Sequence, residues 1–460
     1  MLTTCVRVPF TESAEQSRCV QELTVLQKAL SPLSDPGTLI AYNIKDTLHG
    51  KVLEVPKFWG LDNLEKLGAV SVEDHQFEGV RLEDEDVVSA ITQLRPHQVE
   101  ATESIMKAFS KEYGGGGLLV LPCGYGKTVT ALHVAAKMGV RGLIVCHTDV
   151  LVTQWAAAIV QYFPNARVGL IKQNTFNVDD KTHVIASLKS LAVRDYDMQT
   201  AGCELMIVDE AHHVCALQLS RAVANAGCKY RLGLSATPTR PDGLSDFLAW
   251  SIGEIVYEVT RPPADDLRVF AVMMGDGPVR TKLISRGGKD VSNIAGMINL
   301  LTDMTNARAD MRQRVAAAWI LLCASKRRKI IVLADRISLL RDLDRRVRDS
   351  VTTSFLFGAA KKAERAAAGD AQVVFASYGL AAEGLDLPLD TLILTTPRSG
   401  EGVITQTVGR IQRGRGRPPL VIDIVDAVPL FLSMFAKRLR VYKKLGAKMT
   451  KYDENRDVIA

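Results

Sequence analysis

A short apolar strand that runs into a glycine-containing turn constrains this chain more than any other feature of its sequence. Residues 118–121 are apolar, and the turn after them reads Pro-Cys-Gly-Tyr-Gly-Lys-Thr (residues 122–128). Glycines let backbone N–H groups close around phosphate oxygens, a lysine supplies a point charge, and a threonine hydroxyl suits Mg²⁺. The turn therefore predicts a nucleotide phosphate loop.

The loop departs from the full G-x-x-x-x-G-K-[ST] pattern, because Leu121 stands where the first glycine is expected. The motif alone leaves an ordinary strand-to-helix turn with a surface lysine open. We assign nucleotide binding to Pro122, Cys123, Gly124, Tyr125, Gly126, Lys127 and Thr128, a catalytic charge to Lys127, and a share of Mg²⁺ binding to Thr128.

Length and composition indicate an intracellular globular protein with two to four domains in 460 residues. The sequence has no uncharged apolar stretch of roughly 18 residues, and its N-terminus lacks a basic segment followed by an apolar one. We therefore expect neither secretion nor a membrane partner. The eight cysteines contain no C-x-x-C pair, so we predict reduced thiols rather than a zinc site.

The positive charge of the chain is concentrated at its C-terminal end. Residues 401–460 hold 12 Lys/Arg and 6 Asp/Glu, a net of +6 that equals the formal charge of the whole chain. The pattern over residues 429–449 predicts a helix with an apolar face and a basic face. Either a polyanionic partner or a solvated helix explains this asymmetry. The candidate nucleic-acid contacts are Lys437, Arg440, Lys443 and Lys444.

After Lys127 the pattern alternates between helix and strand, which predicts a parallel sheet covered on both faces. A strand at residues 205–208 runs into Asp209-Glu210-Ala211-His212. Ligands of such sheets bind at the carboxyl ends of the strands, where this motif and the phosphate loop both fall. We expect Asp209 to hold Mg²⁺ and Glu210 to position and deprotonate the attacking water.

A third motif, Ser-Ala-Thr-Pro (residues 235–238), follows the next strand. In this order, Pro-Cys-Gly-Tyr-Gly-Lys-Thr, Asp-Glu-Ala-His and Ser-Ala-Thr-Pro resemble motifs I, II and III of superfamily 2 helicases of DEAH-box type. The resemblance implies that His212, Ser235 and Thr237 couple the ATP site to nucleic acid. Upstream, Leu-Arg-Pro-His-Gln (residues 94–98) adds Arg95 and Gln98 as nucleotide contacts, since a glutamine amide suits the edge of an adenine.

A second alternating unit carries two more motifs. Residues 381–388 resemble helicase motif V, and the resemblance implies that Gly384 and Asp386 contact the nucleotide. Residues 406–413 resemble motif VI, with Gln406 as a coupling residue and Arg410 and Arg413 on one helix face. An arginine supplied across a cleft stabilises charge on a transferring phosphoryl group. A pair of surface arginines is the alternative.

The resemblance covers residues 94 to about 425 and extends to the excision-repair and transcription-factor helicases and related helicases of large DNA viruses and phages. The segment Val-Pro-Lys-Phe-Trp-Gly (residues 55–60) is similar to that group. Two departures are His97, where the group has tyrosine, and Arg240-Pro241-Asp242, which replaces a more acidic Arg-Glu-Asp element.

We therefore predict two tandem RecA-like α/β parallel-sheet domains. The expected divisions are an N-terminal accessory domain (1–90), an ATP-binding domain (91–260), a linker and entry to the second domain (261–310), the second domain (311–426) and a basic helical tail (427–460).

The predicted activity is that of an ATP- and Mg²⁺-dependent DNA helicase or translocase. Single-stranded, forked or duplex DNA is favoured over RNA, and replication, repair or transcription proteins are candidate partners. If the chain is viral, we expect it in the nucleus or cytoplasm of the host cell. Two alternatives stay open. One is a duplex translocase or fork remodeller without strand separation, and the other is a nucleic-acid-binding component of a transcription or repair assembly with a vestigial ATPase.

Overall fold

The chain divides into two compact units, Met1–Thr260 and Arg261–Ala460. The computed structural model describes residues 5–26, 38–48, 50–68, 79–91, 93–215, 221–236, 243–260, 266–275, 282–286, 289–303, 305–357, 367–379, 387–412 and 417–459. Each unit is described by itself below.

The first unit begins with a small region that packs onto the larger sheet following it. Its elements are β1 (Cys5–Pro9), α1 (Ala14–Glu22), β2 (Thr24–Leu26), β3 (Thr38–Ile40), β4 (Asn43–Thr47), β5 (Gly50–Pro56), α2 (Lys57–Asp62) and α3 (Asp84–Val87). Strands β1, β5 and β4 form one antiparallel sheet, and β2 pairs with β3. Leu39 lies in the same buried cluster as Leu143 and Met206 of the larger sheet. The Lys57 ammonium donates to the Lys229 carbonyl at 2.9 Å. The region predicted as an accessory domain is thus part of the first compact unit.

The larger sheet of this unit is the predicted parallel sheet. Its strands are β6 (Gly116–Val120), β7 (Gly142–Cys146), β8 (Val168–Lys172), β9 (Thr175–Asn177), β10 (His183–Ser187), β11 (Leu205–Val208), β12 (Tyr230–Ser235) and β13 (Ile255–Glu258). The helices are α4 (Pro96–Phe109), α5 (Lys127–Met138), α6 (Asp149–Tyr162), α7 (Leu188–Val193), α8 (Met198–Ala201), α9 (Arg221–Ala226) and α10 (Ser245–Ser251), with a 3₁₀ helix at Ala211–Cys215.

Among the described residues the strand order is β13-β6-β12-β11-β7-β10-β8-β9, and every pairing is parallel except β8 with β9. Strands β7 and β11 are buried at every position, as expected for a sheet covered on both faces. Because β6 and β11 flank β12, the loops that follow them emerge at neighbouring points of the same sheet edge.

The second unit also holds a mostly parallel sheet. Its strands are β14 (Arg268–Met274), β15 (Leu283–Arg286), β16 (Lys289–Ser292), β17 (Ile330–Ala334), β18 (Thr353–Leu356), β19 (Val373–Ser377), β20 (Thr391–Leu394), β21 (Leu420–Asp426), β22 (Lys448–Tyr452) and β23 (Val458–Ile459). Its helices are α11 (Ile294–Leu300), α12 (Ala307–Ser325), α13 (Ile337–Val347), α14 (Glu401–Ile411) and α15 (Pro429–Lys444). Within the described part the order is β18-β19-β17-β20-β21-β14-β22-β23. The two sheets confirm the predicted tandem RecA-like fold.

The structure adds detail to two of the predicted divisions. Strand β14 lies within residues 261–310, predicted as a linker and entry to the second domain, and it pairs in parallel with both β21 and β22. Its Val269 and Ala271 are fully buried, because the strand has strong apolar character despite its polar flanks. The predicted tail helix ends at Lys444, where Gly446 with φ of 76° turns the chain. Residues 448–452 then return to the sheet as β22.

Candidate functional site

The phosphate loop is shaped by two glycines in the left-handed region of backbone space. Gly124 has φ of 84° and Gly126 has φ of 86°, a conformation that strains any residue with a side chain. A Cβ added at Gly126 would lie 2.3 Å from the Gln98 amide nitrogen. Helix α5 begins at Lys127 with Gly126 as its N-cap and no side-chain cap. The loop is therefore a backbone cradle at a helix N-terminus, which fits a phosphate group.

Lys127 and Thr128 occupy the first turn of α5. The Lys127 ammonium donates to the carbonyl of Leu121 at 3.1 Å, so its charge is held beside the loop. Thr128 is half-buried. A flexible ammonium and a hydroxyl at this position fit the phosphates of a nucleotide and an accompanying divalent cation.

The residues before α4 are tied to the loop by hydrogen bonds. The Gln98 side chain accepts from the Arg95 N–H at 2.8 Å and donates to the Gly126 carbonyl at 3.3 Å. Arg95 donates to the Gly124 carbonyl at 3.4 Å, and His97 Nε2 lies 3.0 Å from the carbonyl oxygen of Tyr125. Gln98 is 4% exposed. Its amide therefore supports the loop in this structure, and its contact with an adenine stays a prediction.

Asp209 extends strand β11 by one residue and is held on both carboxylate oxygens. Its N–H donates to the Val145 carbonyl at 3.1 Å. Oδ2 accepts from the Trp155 indole N–H at 2.9 Å, and Oδ1 accepts from the N–H of Glu210 at 3.0 Å. Trp155 lies on α6 and is 2% exposed. The carboxylate is thus oriented by a buried side chain 54 positions away, a contact that the sequence reasoning missed.

Glu210 lies at the turn after Asp209 with φ of 48°, a left-handed conformation that costs a non-glycine residue about 1 to 3 kcal/mol. Its carboxylate is 14% exposed, and Oε2 lies 3.6 Å from Nδ1 of His212. The same His212 nitrogen lies 3.5 Å from the hydroxyl of Ser235. His212 therefore stands between the carboxylate and the end of β12. Thr237 lies outside the described residues.

Two further histidines continue this group. The His213 ring stacks on His147 at 3.8 Å and lies 4.3 Å from His212. His147 directly follows β7, a position that can be read from the sequence. Its stacking on His213 cannot be predicted in that way. Below them, burial and then the Asp209 carboxylate raise the pKa of the Cys146 thiol well above its ordinary value. Cys146 is therefore an uncharged part of the core.

In the second unit, α14 carries Gln406 and Arg410 four positions apart, so the two side chains share a helix face. Both are 8% exposed. Gly384, Asp386 and Arg413 lie outside the described residues.

The basic helix α15 divides its charged residues between surface and core. Lys437, Arg440, Lys443 and Lys444 are exposed, while Arg438 is 1% exposed and forms a two-bond ion pair with Asp423. The Lys444 ammonium lies 2.6 Å from the Glu401 carboxylate, so part of its charge is already compensated.

Relatives of known class match this chain in sequence. Residues 91–240 match the family described as "Type III restriction enzyme, res subunit". Protein L396 of Acanthamoeba polyphaga mimivirus, named as a candidate ATP-dependent RNA helicase, is 29% identical over 389 residues, which cover 82% of this chain and 72% of that protein. The DNA 3'-5' translocase XPB2 of Sulfurisphaera tokodaii is 37% identical over 172 residues, which cover 36% of this chain and 35% of that protein.

Solved structures share the fold. The ATP-dependent Type ISP restriction-modification enzyme LlaBIII, bound to DNA, matches with a TM-score of 0.56 at 15% identity, over 80% of this chain and 32% of that one. S. cerevisiae Dbp5, bound to RNA and ADP BeF3, matches with a TM-score of 0.54 at 12% identity, over 79% of this chain and 94% of that one. The chain is thus similar in sequence to helicases and translocases, in the case of L396 over most of its length.

The relatives indicate an ATP-hydrolysing enzyme of helicase or translocase type that binds nucleic acid. Within the part of the chain that the structure describes, every helix is too short or too polar to cross a lipid bilayer. The structure brings the phosphate loop, Asp209 and Glu210 to neighbouring strand ends of one sheet. It adds Trp155, His97, His147 and His213 to the residues that the sequence motifs had suggested.

Proposed function

We propose that this protein couples ATP hydrolysis to movement along DNA or to its unwinding. One observation carries the proposal. A backbone cradle with two positive-φ glycines follows strand β6, and the Asp209-Glu210 pair, with Asp209 held by Trp155, follows strand β11 of the same parallel sheet. A cradle alone would bind a nucleotide, and a carboxylate pair beside it adds what hydrolysis needs.

The proposed roles follow from the chemistry of each group. The loop and Lys127 bind the triphosphate, while Thr128 and Asp209 supply oxygen ligands for Mg²⁺, which would neutralise phosphate charge when bound. Glu210 accepts a proton from the attacking water. We assign coupling to nucleic acid to His212, Ser235, Thr237 and Gln406, and charge stabilisation of the transferring phosphoryl group to Arg410 and Arg413, with Gly384 and Asp386 as further nucleotide contacts.

The test of the proposal is ATP turnover measured with single-stranded DNA, duplex DNA, forked DNA and single-stranded RNA of matched length. We expect DNA to stimulate turnover more than RNA does. Stimulation by RNA alone would overturn the proposal of a DNA substrate. Because one relative carries the name of a DNA translocase, translocation without strand separation is the second candidate. Triplex displacement without strand displacement would identify it.

The contact between Trp155 and Asp209 leads to a prediction. Trp155→Phe keeps a large ring in the core but removes the N–H that orients the carboxylate. We expect ATP turnover to fall by roughly 10- to 100-fold, as when a group that orients a metal ligand is removed, and half-maximal activity to need more Mg²⁺.

Trp59→Phe is the matched control for that variant. Trp59 is also buried and donates its indole N–H to a carboxylate, that of Glu22, at 3.1 Å, in the small N-terminal region. Its replacement should leave the Mg²⁺ dependence unchanged. An unchanged Mg²⁺ titration for Trp155→Phe would contradict the assigned role of Asp209.

The exposed residues of α15 lead to a second prediction. Replacing Lys437, Arg440 and Lys443 with glutamine should weaken DNA binding equally across sequences, because phosphate contacts carry no base information. The slope of log K against log salt should flatten by about 0.7–0.9 for each lysine or arginine that no longer neutralises a phosphate. Lys444→Gln should have a smaller effect because Glu401 already pairs with Lys444.

Lys326→Gln/Arg327→Gln is the control for the loss of positive charge, since both side chains are exposed in the same unit after α12. ATP affinity should stay constant in all of these variants. A salt slope that the α15 substitutions leave unchanged would show that the basic face of α15 is merely solvated.

A further inference from the structure

The four residues that follow β20 are held by hydrogen bonds from several elements at once. Residues 395–398, called here the clamped segment, lie between β20 and α14, the helix that carries Arg410. Three of its backbone carbonyls accept hydrogen bonds from buried side chains in three different regions of the second unit. Arg312 of α12 donates to the Thr395 carbonyl at 2.8 Å, and the Tyr378 hydroxyl donates to the Thr396 carbonyl at 2.7 Å.

The third donor is Arg438 of α15, which reaches the Arg398 carbonyl at 2.5 Å. We call Arg312, Tyr378 and Arg438 the carbonyl clamp. Their exposed fractions are 0%, 2% and 1% respectively. The three donors come from separate regions of the second unit, so the clamped segment is fixed relative to α12, the residue after β19 and α15 together.

Both arginines of the clamp are themselves anchored by carboxylates of β21. Arg312 forms two hydrogen bonds to Asp426, at 2.6 and 2.9 Å. Arg438 forms two to Asp423, at 2.7 and 2.9 Å. A guanidinium has five N–H donors in a rigid plane. Each arginine can therefore pair with its aspartate and still donate an N–H to a backbone carbonyl, that of Thr395 for Arg312 and that of Arg398 for Arg438.

Buried ion pairs of this kind are weak devices for stability, because desolvation offsets most of their attraction. What they offer is fixed geometry. Burial acts to lower the pKa of Arg438, but the Asp423 carboxylate raises it above its ordinary value. Burial and then Asp335 raise the pKa of Tyr378. Both donors therefore keep their protons at neutral pH.

Side chains of the clamped segment are held as well. The Thr396 hydroxyl donates to the Asp335 carboxylate at 3.0 Å and accepts from the Asp335 N–H at 3.0 Å. The Arg398 guanidinium lies 3.1 Å from the same carboxylate. Asp335 directly follows β17, the strand beside β20. The segment is thus bonded through side chains and main chain immediately before α14 begins.

We propose that Arg312, Tyr378 and Arg438 are positioning residues for Arg410, which set the start of α14 and thereby the place of the Arg410 guanidinium during ATP hydrolysis. The proposal rests on the role given to Arg410 in the proposed function. A displacement of about 1 Å in a catalytic group costs roughly 100-fold in rate, so removal of one clamp bond should be visible in turnover.

Tyr378→Phe is the test variant, because it removes one hydroxyl and keeps the ring. Its matched control is Tyr442→Phe. The Tyr442 hydroxyl is equally buried but donates to Asp423 at 2.9 Å, while Arg438 keeps both of its own bonds to that carboxylate. For the full chain with saturating DNA, we expect Tyr378→Phe to lower kcat by roughly 10- to 100-fold with nucleotide Kd unchanged. We expect Tyr442→Phe to stay within about twofold of the parent.

Two further readouts separate positioning from general stability. In an Arg410→Ala background, Tyr378→Phe should cause no additional loss of turnover, because both changes remove the same contribution. Hydrogen exchange of peptides covering residues 395–411 should be faster in Tyr378→Phe and unchanged in Tyr442→Phe. If Tyr378→Phe does not fold, Arg438→Lys replaces it as the test variant. Lysine keeps the positive charge but lacks the guanidinium N–H that donates to the Arg398 carbonyl, and the expected results are the same.

The clamp proposal would be overturned if Tyr378→Phe lowered turnover further in the Arg410→Ala background. It would also be overturned if Tyr378→Phe and Tyr442→Phe lowered turnover equally. Unchanged exchange over residues 395–411 in Tyr378→Phe would do so too. Normal turnover of Arg410→Ala would overturn the proposed function of Arg410 instead, and the exchange experiment would still report whether the clamp holds the segment.

Discussion

Replacing Lys127 with alanine is expected to abolish ATP turnover and to weaken nucleotide binding strongly. The ammonium lies in the first turn of α5, beside the glycine cradle, where a polyanion needs a compensating charge. Nucleotide affinity by calorimetry and steady-state turnover with DNA would be measured together. Lys137→Ala is the matched control, since Lys137 is an exposed lysine at the other end of the same helix.

Glu210→Gln, measured in the same experiment, tests proton abstraction from water separately from nucleotide binding. A neutral amide has nearly the shape of the carboxylate and carries the same backbone demand at φ of 48°, but it is a poor base. We expect nucleotide affinity to be retained and turnover to fall by about 10² to 10⁴. Near-normal turnover in Glu210→Gln would contradict the assignment of Glu210, and tight nucleotide binding with normal turnover in Lys127→Ala would contradict the phosphate loop itself.

Arg410→Ala is expected to lower DNA-stimulated turnover by on the order of 10³ to 10⁵, the effect seen where an arginine finger operates in other phosphoryl-transfer enzymes. Binding of Mg-ATP should be retained, because the phosphate loop, Lys127 and Asp209, which are proposed to hold the triphosphate and Mg²⁺, lie on the first unit. Arg410→Lys should recover little of the rate, since a lysine keeps the charge but not the planar fork.

The control for Arg410 must show that the fall in turnover is not a failure to fold. Arg345→Ala is suitable, because Arg345 is an arginine of the same unit whose side chain is 64% exposed and pairs only with Asp342 among the described ion pairs. Its turnover and thermal midpoint should match the parent. Normal DNA-stimulated activity in an Arg410→Ala/Arg413→Ala double variant would refute the role of both arginines.

The isolated first unit provides an independent test of the prediction that Arg410 of the second unit is needed for ATP hydrolysis. The fragment should comprise residues 1–260 rather than 91–260, because Leu39 lies in the core cluster of the large sheet and Lys57 bonds to Lys229. We expect it to bind ATP and to hydrolyse it at less than about one thousandth of the rate of the full chain. Turnover within about tenfold of the full chain, well short of that reduction, would mean that the second unit contributes no catalytic group.

The site features that could be predicted from the sequence are those with short-range causes. Glycine is strongly favoured at the φ values of Gly124 and Gly126, 84° and 86°, and the motif shows both glycines within seven residues. The alternation of apolar strands with helices follows from local periodicity, and it places Asp209 and Glu210 after a strand. Carboxyl ends of parallel strands share one edge, so the sequence alone was enough to expect the loop and the carboxylates near each other.

Features that depend on contacts between distant residues were decided by the tertiary structure. The indole of Trp155 braces Asp209 across 54 positions, and Gln98 braces Gly126 across 28. The hydrophobic periodicity of the sequence does not predict such contacts between distant residues. The sequence predicts a linker and entry to the second domain over residues 261–310, but only the fold shows that β14 lies between β21 and β22, where its apolar side chains are buried.

Helix α15 shows the same limit within a single element. Its sequence predicts one apolar and one basic face, and Arg438 counts among the basic residues by type. In the fold, Arg438 is buried against Asp423 of β21 and reaches the carbonyl of Arg398, while its neighbour Lys437 stays exposed. Helical periodicity determines which residues share a helix face. Whether a charged residue of the helix contacts water or a buried carboxylate depends on the strand that packs against the helix.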